Sequence, residues 1–568
     1  MNPAQLLAHF NRISDAPDAI PPLRRFILDL AVRGKLVEQD PREEPTSELL
    51  KRIQVEKVQL LKSGTIRKGK SLQPIPEDEL PFGIPKSWQW SQLDEIGLIN
   101  PRNSADVGLA AAFVPMSLIS TELGVAIKHE VRRWGEIKSG YTHFAEGDVG
   151  LAKITPCFEN GKSAVFRELT GRIGAGTTEL HIIRPILVSA DFLLIFLKCP
   201  HFIETGIQRM TGTAGQKRVP TEYFAYTPFP LPPLAEQHRI VAKVNELMAL
   251  CDRLKVAQTE RETRRDRLVA SSLNRFNNGA DADAFRDHAR FYFNDLPRLS
   301  TKGEHIQQLR QAILNLAVRG KLVPQDLNEE PAKVLLFQLA ANAKAYAIKE
   351  GIAPPNPDPI VKENLDFPAP SGWEWVRLAS LFKVITDGDH QPPPKADGGI
   401  AFLTIGNITT GKLDFINCRF VGEKYWQSLA PYKKPVFGDI LYTVVGATYG
   451  RPAYVDSRRP FCVQRHIAIL KPTGQMNVRF LCSLLASPLV YEQATRSTTG
   501  TAQPTIPLRP LRNFLVPLPP LAEQQRIVAK VDELMVLCDR LEAQLTTTHT
   551  DSRRLLEAVL HEALAPAV

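Results

Sequence analysis

LPPLAEQHRIVAKVNELMALCDRL, from Leu231 to Leu254, returns 287 residues later as LPPLAEQQRIVAKVDELMVLCDRL, from Leu518 to Leu541, with three of 24 positions changed. Self-similarity at a fixed offset is the signature of a duplicated architecture. Working outward, LRRFILDLAVRGKLVEQD from Leu23 recurs as LRQAILNLAVRGKLVPQD from Leu309, and PKSWQWSQL from Pro85 recurs as PSGWEWVRL from Pro370. Between these anchors the two copies are nearly unrelated. The pattern predicts a scaffold built twice around two divergent inserts.

The longest anchor reads as a helix. Pro232 and Pro233 stand where it begins, Glu236 falls in its first turn, and Ile240, Val244, Leu247, Cys251 and Leu254 recur at spacings of four and three, a coiled-coil seam. The second copy repeats that seam at Ile527, Val531, Leu534, Cys538 and Leu541. Each helix is expected to run about 40 residues, roughly 60 Å at 1.5 Å per residue. Two matching amphipathic helices in one chain would most simply pack on each other. Shorter helices over Phe26 to Arg33 and Ala312 to Arg319 should stop at Gly34 and Gly320, where a left-handed residue closes a helix.

The inserts alternate short apolar runs with Gly and Pro punctuation, as in VGLAKI, ELHIIRP, DILYTVV and RHIAILKP, which predicts mixed α+β domains. Trp88 and Trp90, like Trp373 and Trp375, lie two apart and so share a strand face, read here as an entry strand buried in each domain. The expected order is a helical segment over 1–84, a first domain over 85–233, a central helix over 234–276, a linker over 277–305, a repeated helical segment over 306–369, a second domain over 370–520 and a closing helix over 521–568.

Composition permits a nucleic-acid partner without demanding one: 70 basic residues are nearly balanced by 61 acidic ones, leaving a net charge of +9 over 568 residues. Seven scattered cysteines with no CxxC pair argue against a disulfide framework or a zinc site and for a reducing compartment. No stretch is apolar enough to span a bilayer, so a soluble, cytoplasmic protein without membrane contact is expected. Gly64 to Ser71 matches GxxxxGK[ST], but the preceding residues are helical and Pro-rich sequence follows, whereas a phosphate loop needs a strand before it and a helix after it. The match reads as a basic loop. There is no HExxH, GxSxG or strand-borne GxGxxG, nor an Asn/Asp-Pro-Pro-aromatic motif of the amino-methylating enzymes. No catalytic residue and no metal site are expected.

LPPLAEQxRIVAKVxELMxLCDRL, LAVRGKLV in both copies, and TDGDHQPPP with GDILYTVVGATYGR in the second insert together resemble the specificity subunits of type I restriction-modification enzymes, over almost the whole chain. The resemblance implies an α+β chain: two globular mixed α/β target recognition domains, separated by two long helices forming an antiparallel coiled coil, with an internal pseudo-twofold repeat. It implies double-stranded DNA as a partner, two modification subunits and translocating restriction subunits. S-adenosylmethionine, ATP and magnesium would be held by those partners, and this chain would bind no cofactor. Two similar domains held apart by a stiff spacer suit a split target with two different halves.

Candidate DNA contacts are loops at matching places in the two inserts. After GDVGLAKI come Lys153, Thr155, Asn160 and Lys162; after GDILYTVV come Thr443, Thr448, Tyr449 and Arg451. TGTAGQKRVP supplies Thr213, Gln216, Lys217 and Arg218, and its counterpart TGTAQPTIP supplies Thr501, Gln503 and Thr505. The TDGDHQPPP phrase adds Asp387, His390 and Gln391 as a recognition loop. Arg, Asn and Gln can make paired hydrogen bonds to base edges, whereas Lys and hydroxyl groups more often hold phosphates. Two other readings stand beside it: a protein-assembly scaffold with tandem helical modules, which would show no salt-dependent DNA affinity, and a self-sufficient DNA nuclease or methylase, against which the missing catalytic motifs count.

Overall fold

The computed structural model describes residues 18–64, 74–213, 215–278, 282–361, 365–389 and 393–564. The chain divides into two compact units, one of residues 1–261 with 548–568, the other of residues 262–547. The division runs through both long helices, Leu234–Asn278 and Leu521–Leu564, so each unit holds part of each. No helix among the described residues is long and apolar enough to cross a membrane.

In the first unit β1 (Gln89–Gln92) is followed by β2 (Gly97–Ile99), β3 (Ala110–Val114), β4 (Glu130–Arg133), β5 (Thr142–Ala145), β6 (Val149–Ala152), β7 (Ser163–Val165), β8 (Ile173–Gly176), β9 (Leu180–Pro185) and β10 (Pro228–Leu231). They form an antiparallel sheet β2-β9-β6-β7, a mixed sheet β4-β3-β8-β5 whose β3 and β8 are parallel, and the isolated pair β1-β10. The second unit carries β11 (Glu374–Arg377), β12 (Phe382–Asp387), β13 (Lys395–Ala396), β14 (Ile400–Leu403), β15 (Arg419–Val421), β16 (Ile440–Thr443), β17 (Pro452–Tyr454), β18 (Phe461–Val463), β19 (Ile467–Pro472) and β20 (Leu515–Leu518). Its sheets are β12-β19-β16-β17, β13-β15-β14-β18 with β14 and β18 parallel, and β11-β20. The first sheets of the two inserts therefore share a strand order that their sequences conceal, and the second sheets share three strands, β4-β3-β8 matching β15-β14-β18, with the fourth strand added at opposite edges, β5 on β8 and β13 on β15.

One charge pair built on a buried carboxylate recurs in that hidden likeness. Asp148 accepts the backbone N–H of Ala145 at 2.7 Å across the turn into β6 and takes both Arg184 Nε and Nη2 from β9 at 2.8 Å. Asp439 accepts from Val436 N–H at 2.8 Å and from Lys471 Nζ at 2.5 Å. Burial pushes both carboxyls above their usual range, and the partnering cations pull back without reversing it.

The three repeated anchors meet at one place in each unit. The first-unit helix Ile20–Val32 closes on Gly34 at φ 65°, with Lys35 N–H returning to Leu30 O at 3.0 Å; Gly320 at φ 66° and Lys321 N–H to Leu316 O repeat this cap. A Cβ on Gly34 would sit 2.4 Å from Pro85 Cγ, and one on Gly320 2.6 Å from Pro370 Cγ, so the glycine also admits the tryptophan segment. Gln39 bridges Gly34 O and Glu236 at 3.1 Å each, and Gln325 donates to Gly320 O at 2.6 Å and to Glu523 at 3.5 Å. The next residue, Gln237, accepts Ser189 N–H at 2.8 Å and donates to Pro232 O at 2.9 Å; Gln524 does the same with Asn477 N–H at 3.3 Å and Pro519 O at 3.0 Å. LAVRGKLVxQD, the tryptophan motif and LPPLAEQ are thus one hydrogen-bonded junction, made twice.

Trp88, Trp373 and Trp375 are buried as expected, while Trp90 is half-buried against Phe82, ring centroids 5.2 Å apart. Trp90 and Trp375 stand opposite Pro230 and Pro517, so the entry strand of each domain pairs with its exit strand. The seam residues Ile240, Val244 and Cys251 are buried in the first unit's core, with Leu247 and Leu254 partly buried against it. Ile527, Val531 and Cys538 lie in the second unit's core, and Leu534 and Leu541 pack on it. There they share that core with Val269, Leu273 and Phe276 from the end of the first long helix.

One expectation is corrected. The segment read as a linker over 277–305 contains helices Ala282–Asn294 and Leu296–Leu299. Tyr292, Leu296 and Leu299 recur at helical spacing and are buried in the second unit's core, a short apolar stripe masked by the many charges around it.

Candidate DNA interface

In the first unit the two predicted loops join. Ile154 and Arg218 form an antiparallel bridge, Thr155 donates through N–H and Oγ1 to Lys217 O at 3.0 Å, and Val219 N–H returns to Lys153 O at 2.8 Å. Lys153 N–H donates in turn to Glu179 O at 2.9 Å, which ties in the β8–β9 turn. Arg218 meets the Glu179 carboxylate with two bonds, Nε at 2.9 Å and Nη2 at 2.8 Å, and sends Nη1 to Gln216 O at 3.0 Å. The guanidinium holds the Glu179 carboxyl below its usual range, and the carboxylate raises Arg218. Thr213, Gln216 and Lys217 are exposed around this pair.

One candidate, Lys162, is used elsewhere, and Asn160 is exposed beside it. Lys162 Nζ donates to Met116 O at 3.0 Å, and Asn160 borders a cavity with Arg24, Glu204 and Met248. His181, beneath the loops, is structural: Nε2 meets Val219 O at 3.0 Å, the ring stacks on Phe224, and burial lowers its pKa to about 4.

The second unit repeats the lacing with different side chains. Val445 and Thr505 bridge, Gly446 N–H meets Pro504 O at 2.9 Å, Ile506 N–H meets Val444 O at 2.8 Å, and Val444 N–H meets His466 O at 3.1 Å. Lys153, Glu179 and Val219 therefore correspond to Val444, His466 and Ile506. Arg451 is exposed, and its Nη1 donates to Thr409 O at 3.1 Å, which brings the loop after β14 to the same edge. Tyr449 stacks on Tyr491, centroids 5.5 Å apart, with its hydroxyl 3.0 Å from Thr495 Oγ1. Thr501 and Gln503 are exposed, and Thr505 Oγ1 donates to Gln503 O at 3.2 Å.

Thr443 is corrected from contact to support: it is fully buried, donates to Thr448 O at 2.6 Å and accepts Arg451 N–H at 3.0 Å. Asp387 ends β12 half-buried, opposite Ala468, and Asp389 bridges Gln464; His390 and Gln391 lie outside the described residues, as does the phosphate-loop look-alike beyond Gly64. No group of His, Cys, Asp and Glu among the described residues is arranged to hold a metal.

A family model described as the type I restriction modification DNA specificity domain matches residues 370–548. The EcoAI specificity subunit of Escherichia coli is 36% identical over 550 residues, covering 95% of this chain and 93% of that protein. The EcoEI specificity subunit of Escherichia coli is 37% identical over 562 residues, with the same coverage. The chain belongs to the type I restriction enzyme specificity subunits. A solved HsdS subunit from Thermoanaerobacter tengcongensis is 22% identical over 86% of this specificity subunit and 98% of its own chain, with a TM-score of 0.45.

Sequence reading of this specificity subunit missed Glu179, Gln464, His466 and Thr409, and Arg465, which is exposed in the turn before β19 and donates from Nε to His466 Nε2 at 3.2 Å. The signal was available only in part: Glu179 and His466 immediately precede β9 and β19, but nothing local says that these turns reach the loops after β6 and β16.

Proposed function

We propose that this chain reads a bipartite, asymmetric DNA target, one half-site through each unit, and docks two modification subunits and the restriction subunits of a type I complex. Methyl transfer with S-adenosylmethionine, and translocation and cleavage with ATP and magnesium, belong in this reading to those partners, in the cytoplasm; this chain is itself non-catalytic. The observation that carries the proposal is the pair of loop clusters: each is laced by the same backbone bonds, and each presents different side chains, Arg218 with Glu179 and Lys153 in one, Arg451, Gln503 and Arg465 in the other. A constant frame with variable polar groups is what reading two unlike sequences requires.

Single-molecule methylation mapping tests it, on DNA from cells carrying this chain with its modification partner and from cells lacking it. Methylated adenines in one split, asymmetric sequence are expected. An assembled complex that adds no methylation would overturn the proposal in favour of a protein-assembly scaffold.

A further inference from the structure

We infer that Glu179 is a positioning residue that holds Arg218 to read a guanine in the half-site of the first domain; the inference rests on the specificity reading above. Arg218 has five N–H donors. Glu179 takes two of them, at Nε and Nη2, and Gln216 O takes one at Nη1. One N–H remains on each terminal nitrogen. Two donors on one planar group match the N7 and O6 acceptors that guanine alone presents together in the major groove.

The surroundings favour readout over a simple phosphate contact. Arg218 is anchored from three sides: its backbone exchanges two hydrogen bonds with Thr211, at 2.8 and 3.0 Å, its neighbour Lys217 is held by Thr155, and its side chain is clamped by Glu179. The side chain is nevertheless 42% exposed, while Glu179 is 23% exposed. A carboxylate clamp removes rotamer freedom before DNA arrives, so less entropy is lost on contact. It also cancels much of the positive charge, which is wasteful for holding phosphate and harmless for reading a base edge. The corresponding positions of the second unit, His466 and Thr505, form no such pair, as expected where the other half-site is different.

The test uses the assembled complex with its modification subunits and maps methylation for the unaltered chain and for Arg218→Lys, Glu179→Gln and Arg451→Ala. Arg218→Lys keeps the charge and loses the paired donors. The expected result is relaxed preference at one G·C position of one half-site, by roughly tenfold to a hundredfold. Glu179→Gln should relax the same position less, and Arg451→Ala should lower methylation overall while the base preference at that position stays that of the unaltered chain. Arg218→Lys complexes that keep the full motif, or lose affinity equally for all sequences, would overturn the inference while leaving the specificity reading intact. Absence of split methylation with the unaltered chain would overturn both.

Discussion

Trp373 donates its indole N–H to the buried carboxylate of Glu523 at 2.8 Å, closing a contact across 150 residues between the tryptophan motif and the first turn of the second long helix. In the first unit Trp88 stands beside Glu236 at the corresponding place. Burial pushes both carboxyls up, and the donors around them pull back. Trp373→Phe keeps the ring and strands the carboxylate, so it should cost about 1–3 kcal/mol. Glu523→Gln keeps an acceptor and sheds the charge, and should cost less. Urea unfolding of the chain measures both; a Trp373→Phe cost no larger than that of Glu523→Gln would show that stranding the carboxylate carries no penalty at this junction.

The Asp439–Lys471 pair predicts strong coupling. Both side chains are under a tenth exposed. Asp439→Ala leaves an uncompensated ammonium and should cost about 3–5 kcal/mol, most of it recovered by adding Lys471→Met. A double-mutant cycle by urea denaturation measures this, and additive single effects would show that the pair does not act as a unit.

Asp29 is a liability in the first unit. It is buried on Ile20–Val32, its Oδ1 has no hydrogen-bond partner, and burial raises its pKa to about 6 despite Arg33 and Arg25, with Glu204 adding to the rise. The folded state binds that proton more tightly than the unfolded chain, so this contribution is full below about pH 4, falls as pH climbs to 6, and stays low above it. The second copy has Asn315 here, accepting Arg319 Nε at 3.2 Å. Asp29→Asn should flatten that slope and raise stability at pH 7–8 by on the order of 1–3 kcal/mol. Thermal melts from pH 4 to 8 check it.

Arg451 and Thr443 should separate cleanly. Arg451→Ala is expected to weaken binding of the assembled complex to its own site and to reduce the salt dependence, with the melting temperature unchanged. Thr443→Ala removes the hydroxyl that ties Thr448 to Arg451 and should lower stability by about 0.5–1.5 kcal/mol. Unchanged affinity and sequence preference for Arg451→Ala would remove that residue from the interface.

The duplicated plan was readable in one dimension because its residues carry local rules. The apolar periods of LPPLAEQ and LAVRGKLV predict helices, Gly34 and Gly320 predict their ends, and the tryptophan spacing predicts a strand; the structure has all three. Loop pairs with related sequences, TGTAGQKRVP and TGTAQPTIP, also fell where the structure laces a domain edge. What lay beyond the sequence is non-local. The strand order common to the inserts depends on which strands pair, and unrelated apolar runs satisfy the same pairing. The pairing of Arg218 with Glu179, and of Asp148 with Arg184, joins residues 39 and 36 positions apart through neighbouring strands. Only the folded chain brings such groups within hydrogen-bond distance, and only there does burial turn Thr443 from a candidate contact into a support and an apparent linker into part of a core. Side-chain chemistry names the available donors and acceptors; tertiary packing decides which are already spent.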